Sequence, residues 1–169
     1  MEQAKQFDIK AKSFIANGTE YFILSADQTL TAHRFTEYEK LRFEYESGGL
    51  TWAEMEAQDK ECETILNNLV AQKPQSKNIL DVIMIFKARK ELAEKARKNE
   101  SFKMQYTLML STLFINTAGE DVRKWDRETA SKKISDWMEE GYHWSCFFLL
   151  IINFLEQLNE PLKKSTEVG

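Results

Sequence analysis

The sequence predicts a mainly α fold, a helical bundle of about six helices with a small N-terminal β-hairpin. Its 169 residues include only six Gly and two Pro, which leaves little room for the turns of a many-stranded β fold. Aromatic residues make up 12% of the chain, which argues against disorder, and apolar residues recur mostly at helical spacing. We expect one domain over residues 1–162 and a frayed C-terminal tail over residues 163–169.

The N-terminal segment has two interpretations. Apolar residues recur every three to four positions over residues 3–16, which favours a helix that ends at Asn17-Gly18. Asn-Gly is also a typical turn of a β-hairpin, so two strands are the alternative. We favour the helix and predict the hairpin over residues 20–34, where two β-prone runs flank a short polar turn.

Two capped helices follow the predicted hairpin. Thr36 and Glu39 have the spacing of a capping box, which predicts the start of the first helix. Thr51 and Glu54 repeat this spacing and predict the start of the second. The apolar face of this second helix extends to about Val70.

Residues 78–86, NILDVIMIF, are nearly all apolar, and periodicity alone does not decide between a buried helix and a strand. The helix-forming segment KARKELAEKARK follows directly, so we predict one continuous helix with a buried first half. Apolar stripes around Leu110 and Trp137 predict two more helices, and Gly141 then breaks the chain.

The greatest apolar density lies in Trp144–Leu155, WSCFFLLIINFL, which contains no charge. It is too short for a membrane span, which needs about 20 apolar residues. Its apolar residues cover most of a helical circumference, so this helix is either central in the bundle or bound to another subunit. We predict a partner-binding surface that also uses the edge of the hairpin, formed by Trp144, Phe147, Phe148, Ile151, Phe154, Tyr21 and Leu24.

A basic run within residues 87–103 is the second candidate surface, for nucleic acid or for an acidic partner. The run lacks the interleaved aromatic residues of a single-strand binder, and the whole chain has a net charge of −4. A nucleic-acid-associated or anti-defence regulatory protein that uses this run is therefore the alternative, less favoured interpretation of function. The candidate residues are Lys87, Arg89, Lys90, Arg97 and Lys98.

The chain offers little material for catalysis. His33 and His143 are its only histidines, and no Cys-x-x-Cys, nucleophile-elbow or phosphate-loop motif is present. We predict no catalytic residues, no metal and no cofactor, and we expect the protein not to be an enzyme. Cys62 and Cys146 lie on apolar helical faces and predict buried free thiols in a reducing compartment. The first residues lack the pattern of a signal peptide, so we expect an intracellular protein.

Three stretches carry a resemblance to a known group: Tyr21–Met55, Leu113–Asp126 and Lys133–Leu150. Their order of hairpin, short capped helix, long capped helix, Trp-containing connector and aromatic helix resembles small proteins of large tailed bacteriophages of the crAss-like group. The resemblance implies a non-enzymatic virion accessory, or a tail, neck or baseplate assembly component, in the virion or the host cytoplasm. It implies partners that are other protein subunits, either virion proteins or further copies of the chain.

Overall fold

The computed structural model describes residues 4–73 and 77–166, with side chains to residue 158. Helices dominate this part of the chain, which confirms a mainly α fold with an N-terminal hairpin. The elements in chain order are β1 (Ser13–Ala16), β2 (Thr19–Ile23), α1 (Ala26–Thr29), α2 (Ala32–Glu46), α3 (Trp52–Val70), α4 (Ile79–Arg97), α5 (Glu100–Ser111), β3 (Ile115–Thr117), α6 (Arg127–Glu139) and α7 (Trp144–Thr166).

The hairpin lies earlier in the chain than predicted. β1 and β2 pair in antiparallel register with Phe14 opposite Tyr21, so the helix expected over residues 3–16 is wrong. Asn17 and Gly18 both have positive φ, 49° and 74°, as a two-residue hairpin turn requires. The turn chemistry therefore outweighed the helical spacing, and the Asn17-Gly18 alternative is correct. Most of the region predicted as a hairpin, residues 20–34, instead forms β2, α1 and the start of α2.

A third strand, β3, completes a small antiparallel sheet in the order β1-β2-β3. It pairs Thr117 with Tyr21 and Ile115 with Ile23, so β2 is the central strand. The prediction that Tyr21 and Leu24 lie at a hairpin edge is therefore wrong. Both sides of β2, which contains Tyr21, are hydrogen-bonded within the sheet, and the N–H of Leu24, just after β2, donates to the Phe114 carbonyl oxygen at 3.0 Å.

Backbone contacts divide the chain into two compact units. The continuous unit is Lys40–Lys103, and the discontinuous unit combines the chain up to Glu39 with the chain from Met104 onward. The single domain expected over residues 1–162 stays a prediction. The backbone of α7 is helical through Thr166, and the end of the predicted tail, residues 167–169, lies outside the described residues.

Aromatic side chains fill the core of the discontinuous unit. Trp137 of α6 stacks on Phe147 of α7, with ring centroids 4.6 Å apart, and Phe14 of β1 contacts both rings edge-on. Phe114 stacks on Phe154 with centroids 4.5 Å apart. These contacts place the sheet against α6 and one face of α7.

The continuous unit contains the antiparallel pair α3 and α4. The Thr51 hydroxyl accepts a hydrogen bond from the backbone N–H of Glu54, whose carboxylate accepts one from the Thr51 N–H, as the capping box predicted. Cys62 and Ile65 of α3 pack against Val82 of α4. The helix predicted over residues 78–86 is confirmed. The prediction that its first half is buried is wrong, because five apolar residues there are at least 52% exposed: Ile79, Leu80, Ile83, Met84 and Phe86.

Candidate functional site

The aromatic helix α7 has two apolar faces. One lies in the core of the discontinuous unit, where Phe147 and Phe154 are at most 3% exposed. The other carries four large apolar side chains that are 37–50% exposed and recur at helical spacing. We call this surface the outer face of α7; its residues are Phe148, Leu149, Ile152 and Leu155.

The side chain of His143 caps the N-terminus of α7. Its Nδ1 accepts a hydrogen bond from the backbone N–H of Ser145 at 3.3 Å and lies 2.7 Å from the Ser145 hydroxyl. The first N–H groups of a helix lack partners within the helix, so this contact caps α7. Trp144 is half-buried and meets Phe148 edge-on, with centroids 6.1 Å apart, at the same end of the outer face.

The structure divides the predicted partner residues into two groups. Four of them are buried in the core, at most 9% exposed, and so offer almost no surface to a partner: Phe147, Ile151, Phe154 and Tyr21. They were chosen for their apolar character, which does not distinguish the two faces of the helix. Phe148 is 46% exposed, and Trp144 and Leu24 are half-buried. Leu24 lines a groove of about 310 Å³ beside the end of the sheet.

The outer face of α7 has the extent of the largest apolar patch on a typical monomeric protein. Its four side chains expose about 350 Å² of apolar surface, within the range of about 300–600 Å² for the largest, and often functional, patch on a monomer.

Three of the five predicted basic residues, Lys87, Arg89 and Lys90, have contacts with nearby side chains. Arg89 donates to Gln58 Oε1 at 2.5 Å and to Asp59 Oδ1 at 2.9 Å, so its guanidinium joins α4 to α3. Lys87 and Lys90 lie 3.9 and 4.0 Å from carboxylates one turn further along α4. Arg97 and Lys98 are exposed at the end of the helix. Neighbouring carboxylates thus lower the positive potential that a phosphate backbone would meet.

The residues considered for catalysis have structural surroundings. His33 lies at the start of α2, not in a strand, with Nε2 3.2 Å from the Trp125 carbonyl oxygen. Burial raises the pKa of the Cys146 thiol, which keeps it protonated and unreactive at neutral pH. Both cysteines are buried free thiols, as predicted. Among residues 4–73 and 77–166, no cluster of three or more His, Cys, Asp or Glu side chains is arranged to hold a metal ion.

Sequence reasoning missed a buried ionic cluster. Glu120 Oε1 accepts hydrogen bonds from Arg34 at 2.9 Å and from Lys133 at 2.6 Å, and both cationic side chains are at most 4% exposed. Arg34 also donates to Asn116 and to the carbonyl oxygens of Leu113 and Lys124. Burial lowers the pKa of Lys133, and the contact with Glu120 opposes this shift.

This ionic cluster is a structural clamp. Lys133 donates its three protons to Glu120 and to the carbonyl oxygens of Thr112 and Ile115, so none remains for a ligand. A cavity of about 210 Å³ lies beside Lys133 and Glu120, yet their polar atoms are directed into the clamp. The sequence did contain one signal: Lys133 lies between Ala130 and Trp137 on the inner face of α6.

Comparisons with known proteins give no relatives. No family model, no curated protein and no solved structure matches this chain. No helix in the described part of the chain is both long and apolar enough to span a membrane.

Proposed function

We propose that this protein is a non-enzymatic component of a protein assembly, which binds another subunit through the outer face of α7. The observation that carries the proposal is the exposure of Phe148, on a helix whose opposite face already fills a core. Buried area does not convert directly into affinity between proteins, but burial of this apolar surface is the favourable contribution that offsets the cost of association. The outer face thus supplies the centre of a contact, and polar neighbours such as Asn153 and Glu156 form its rim.

The sequence resemblance alone suggests which assembly this is. We therefore further propose a tailed-bacteriophage particle, in which the protein acts as a virion accessory or as a tail, neck or baseplate assembly component. Its site of action would then be the virion or the host cytoplasm. The basic run of α4 is not proposed as a nucleic-acid site, because Arg89 is bound to α3 and Lys87 and Lys90 have carboxylate neighbours.

The experiment compares incorporation into particles. Phages that encode the wild type, Phe148→Glu or Met84→Glu are grown, and the protein is quantified by mass spectrometry in purified particles and in assembly intermediates. Met84 is a matched control, because it is also apolar and is 67% exposed, but lies on α4. We expect Phe148→Glu to reduce incorporation at least tenfold, because it places a charge in the centre of an apolar contact. We expect Met84→Glu to incorporate normally.

Two results would contradict the proposal. Equal incorporation of Phe148→Glu and the wild type would remove the outer face of α7 as the contact. Absence of the wild-type protein from particles and from every intermediate would remove the phage assembly role. Circular dichroism of each purified variant shows whether a loss of incorporation results from unfolding.

A further inference from the structure

A second apolar surface lies on the α3–α4 pair and is independent of α7. Five of its side chains are 40–86% exposed, although large apolar residues on a helix usually face a core. The helices α3 and α4 form an α-helical hairpin, distinct from the β-hairpin of β1 and β2, and we call this surface the hairpin face. Its residues are Leu66, Val70, Ile79, Ile83 and Phe86.

Helical geometry places these five residues on one side of the α3–α4 pair. Ile65 and Val82 meet at the seam between the two helices. Successive side chains on an α-helix point about 100° apart around the helix axis. Because α3 and α4 run in opposite directions, this rotation brings the residue that follows a seam residue to the same side of the pair on both helices. Leu66 follows Ile65, and Ile83 follows Val82. The remaining members of the hairpin face lie three or four residues from these two, so they continue the same rows.

The extent of the hairpin face fits a protein contact of standard size. Its five side chains expose about 500 Å² of apolar surface. A standard interface buries about 800 Å² per partner, of which about 57% is apolar. The hairpin face therefore supplies about the apolar area that one side of a stable dimer needs.

The charges on the two helices suggest which partner fits. α3 carries five carboxylates and one lysine, whereas α4 carries five basic and three acidic residues. If a second copy packs on the hairpin face with the two-fold axis parallel to the helices, α3 of each copy lies antiparallel to α4 of the other. The acidic helix then faces the basic helix in both contacts. A two-fold axis perpendicular to the helices would instead place α3 against α3, with carboxylates facing carboxylates.

We propose that the continuous unit binds a second copy of this chain through the hairpin face, with α3 of each copy against α4 of the other. The product is a two-fold contact of four helices, in which Ile83 lies near the centre. Glu63 and Lys87 lie one turn from Leu66 and Ile83, at the edge of the face, where each meets the opposite charge of the second copy. The contact of Lys87 with Glu91 at 3.9 Å leaves its side chain 72% exposed, so its ammonium group remains accessible to Glu63 of the second copy.

The test measures self-association of the full chain by sedimentation velocity over a hundredfold range of concentration. Three variants are compared with the wild type: Ile83→Glu, Met84→Glu and Phe148→Glu. Met84 is adjacent to Ile83 and more exposed, but it points about 100° away from the hairpin face. We expect a wild-type dimer, an Ile83→Glu dissociation constant at least tenfold higher, and little change for Met84→Glu. Ile83 is 54% exposed, and circular dichroism checks that Ile83→Glu folds.

Several outcomes would overturn the self-association proposal. One is a wild-type monomer at all concentrations, and another is an equal effect of Ile83→Glu and Met84→Glu. A dimer that Phe148→Glu disrupts and Ile83→Glu does not would move the contact to α7, which leaves the proposed function intact. Conversely, normal dimers with no incorporation of the protein into particles would leave this proposal intact and overturn the assembly role.

Exchanging charges tests the orientation without altering the apolar surface. Glu63→Lys and Lys87→Glu should each weaken the dimer several-fold, and the double variant should recover most of the loss, because opposite charges again face each other. A tighter dimer with Glu63→Lys alone, or no recovery in the double variant, would overturn the pairing of α3 with α4.

Discussion

Glu120 holds two buried cations with a single carboxylate oxygen. Arg34 and Lys133 come from α2 and α6, and both reach Glu120 between β3 and α6. Its other oxygen accepts a hydrogen bond from the Thr117 N–H at 2.9 Å. One carboxylate thus fixes three segments of the discontinuous unit, and its loss leaves two buried charges without an anion.

Glu120→Gln should strongly destabilise the protein. The amide carries no negative charge, and breaking a buried ion pair on one side costs about 3–5 kcal/mol. The measurement is the free energy of unfolding in urea. Glu128→Gln, which neutralises an exposed acid in the first turn of α6, is the matched control and should have a much smaller effect. A loss at Glu120 no larger than that of the control would mean that water entering the adjacent cavity solvates both cations.

The sequence contained only part of this ionic cluster. Lys133 lies three residues after Ala130 and four before Trp137, so its position on the apolar face of α6 is readable from spacing. Its partners are not readable from spacing, because Arg34 belongs to α2 and Glu120 lies 13 residues before Lys133, in the connector that follows β3. The outer face of α7 was also only partly predictable, but here the limit is burial and not the identity of the contact partners. Phe148 is apolar in an apolar helix, but only packing decides which side is covered.

Gly48 lies where the chain turns between α2 and α3 in the continuous unit. Its φ is +80°, and a Cβ atom there would lie 2.9 Å from backbone atoms of Leu92 and Ala93. Gly18 has a similar φ of +74°, but a Cβ atom there would meet no atom within 4 Å. A side chain at Gly18 would therefore introduce backbone strain alone, whereas one at Gly48 would introduce backbone strain and a steric clash.

Gly48→Ala should cost more stability than Gly18→Ala. Each substitution places a side chain at positive φ, which costs about 1–2 kcal/mol. At Gly48 the new methyl group also displaces the α4 backbone, and overpacking of this kind adds about 1–3 kcal/mol. Urea unfolding of both variants provides the comparison. Equal losses would mean that α4 moves away from Gly48 at little cost.

Local signals predicted some elements better than others. The capping box at Thr51 and Glu54 starts α3 as expected, because capping depends only on residues three positions apart. The strand β3 has three residues and was missed, since so short a run carries no readable alternation. At Asn17-Gly18 two local signals competed, and only the pairing of Phe14 with Tyr21 decides between them.

The two buried thiols report on the two units separately. Cys62 lies in the continuous unit and Cys146 in the discontinuous unit, and both are free and buried. α2 and α5 each begin in one unit and end in the other, so the single predicted domain implies that both units unfold together.

We expect the thiols of Cys62→Ala and Cys146→Ala to become reactive at the same urea concentration. Each variant retains one thiol, and its labelling by a thiol reagent marks the unfolding of one unit. Circular dichroism of each variant is the control, since it corrects for any stability lost through the substitution. Thiol exposure at two clearly different urea concentrations would mean that the chain has two domains.

The division into a continuous and a discontinuous unit also has a consequence during translation. The ribosome has made all of Lys40–Lys103 before it makes β3, α6 or α7, on which the sheet and the aromatic core depend. The contacts between α3 and α4 join residues that are close in sequence, and proteins rich in such local contacts fold fastest. We therefore expect the hairpin face to form while the rest of the chain is still being synthesised. Two nascent chains on one messenger RNA could pair there before either protein is finished.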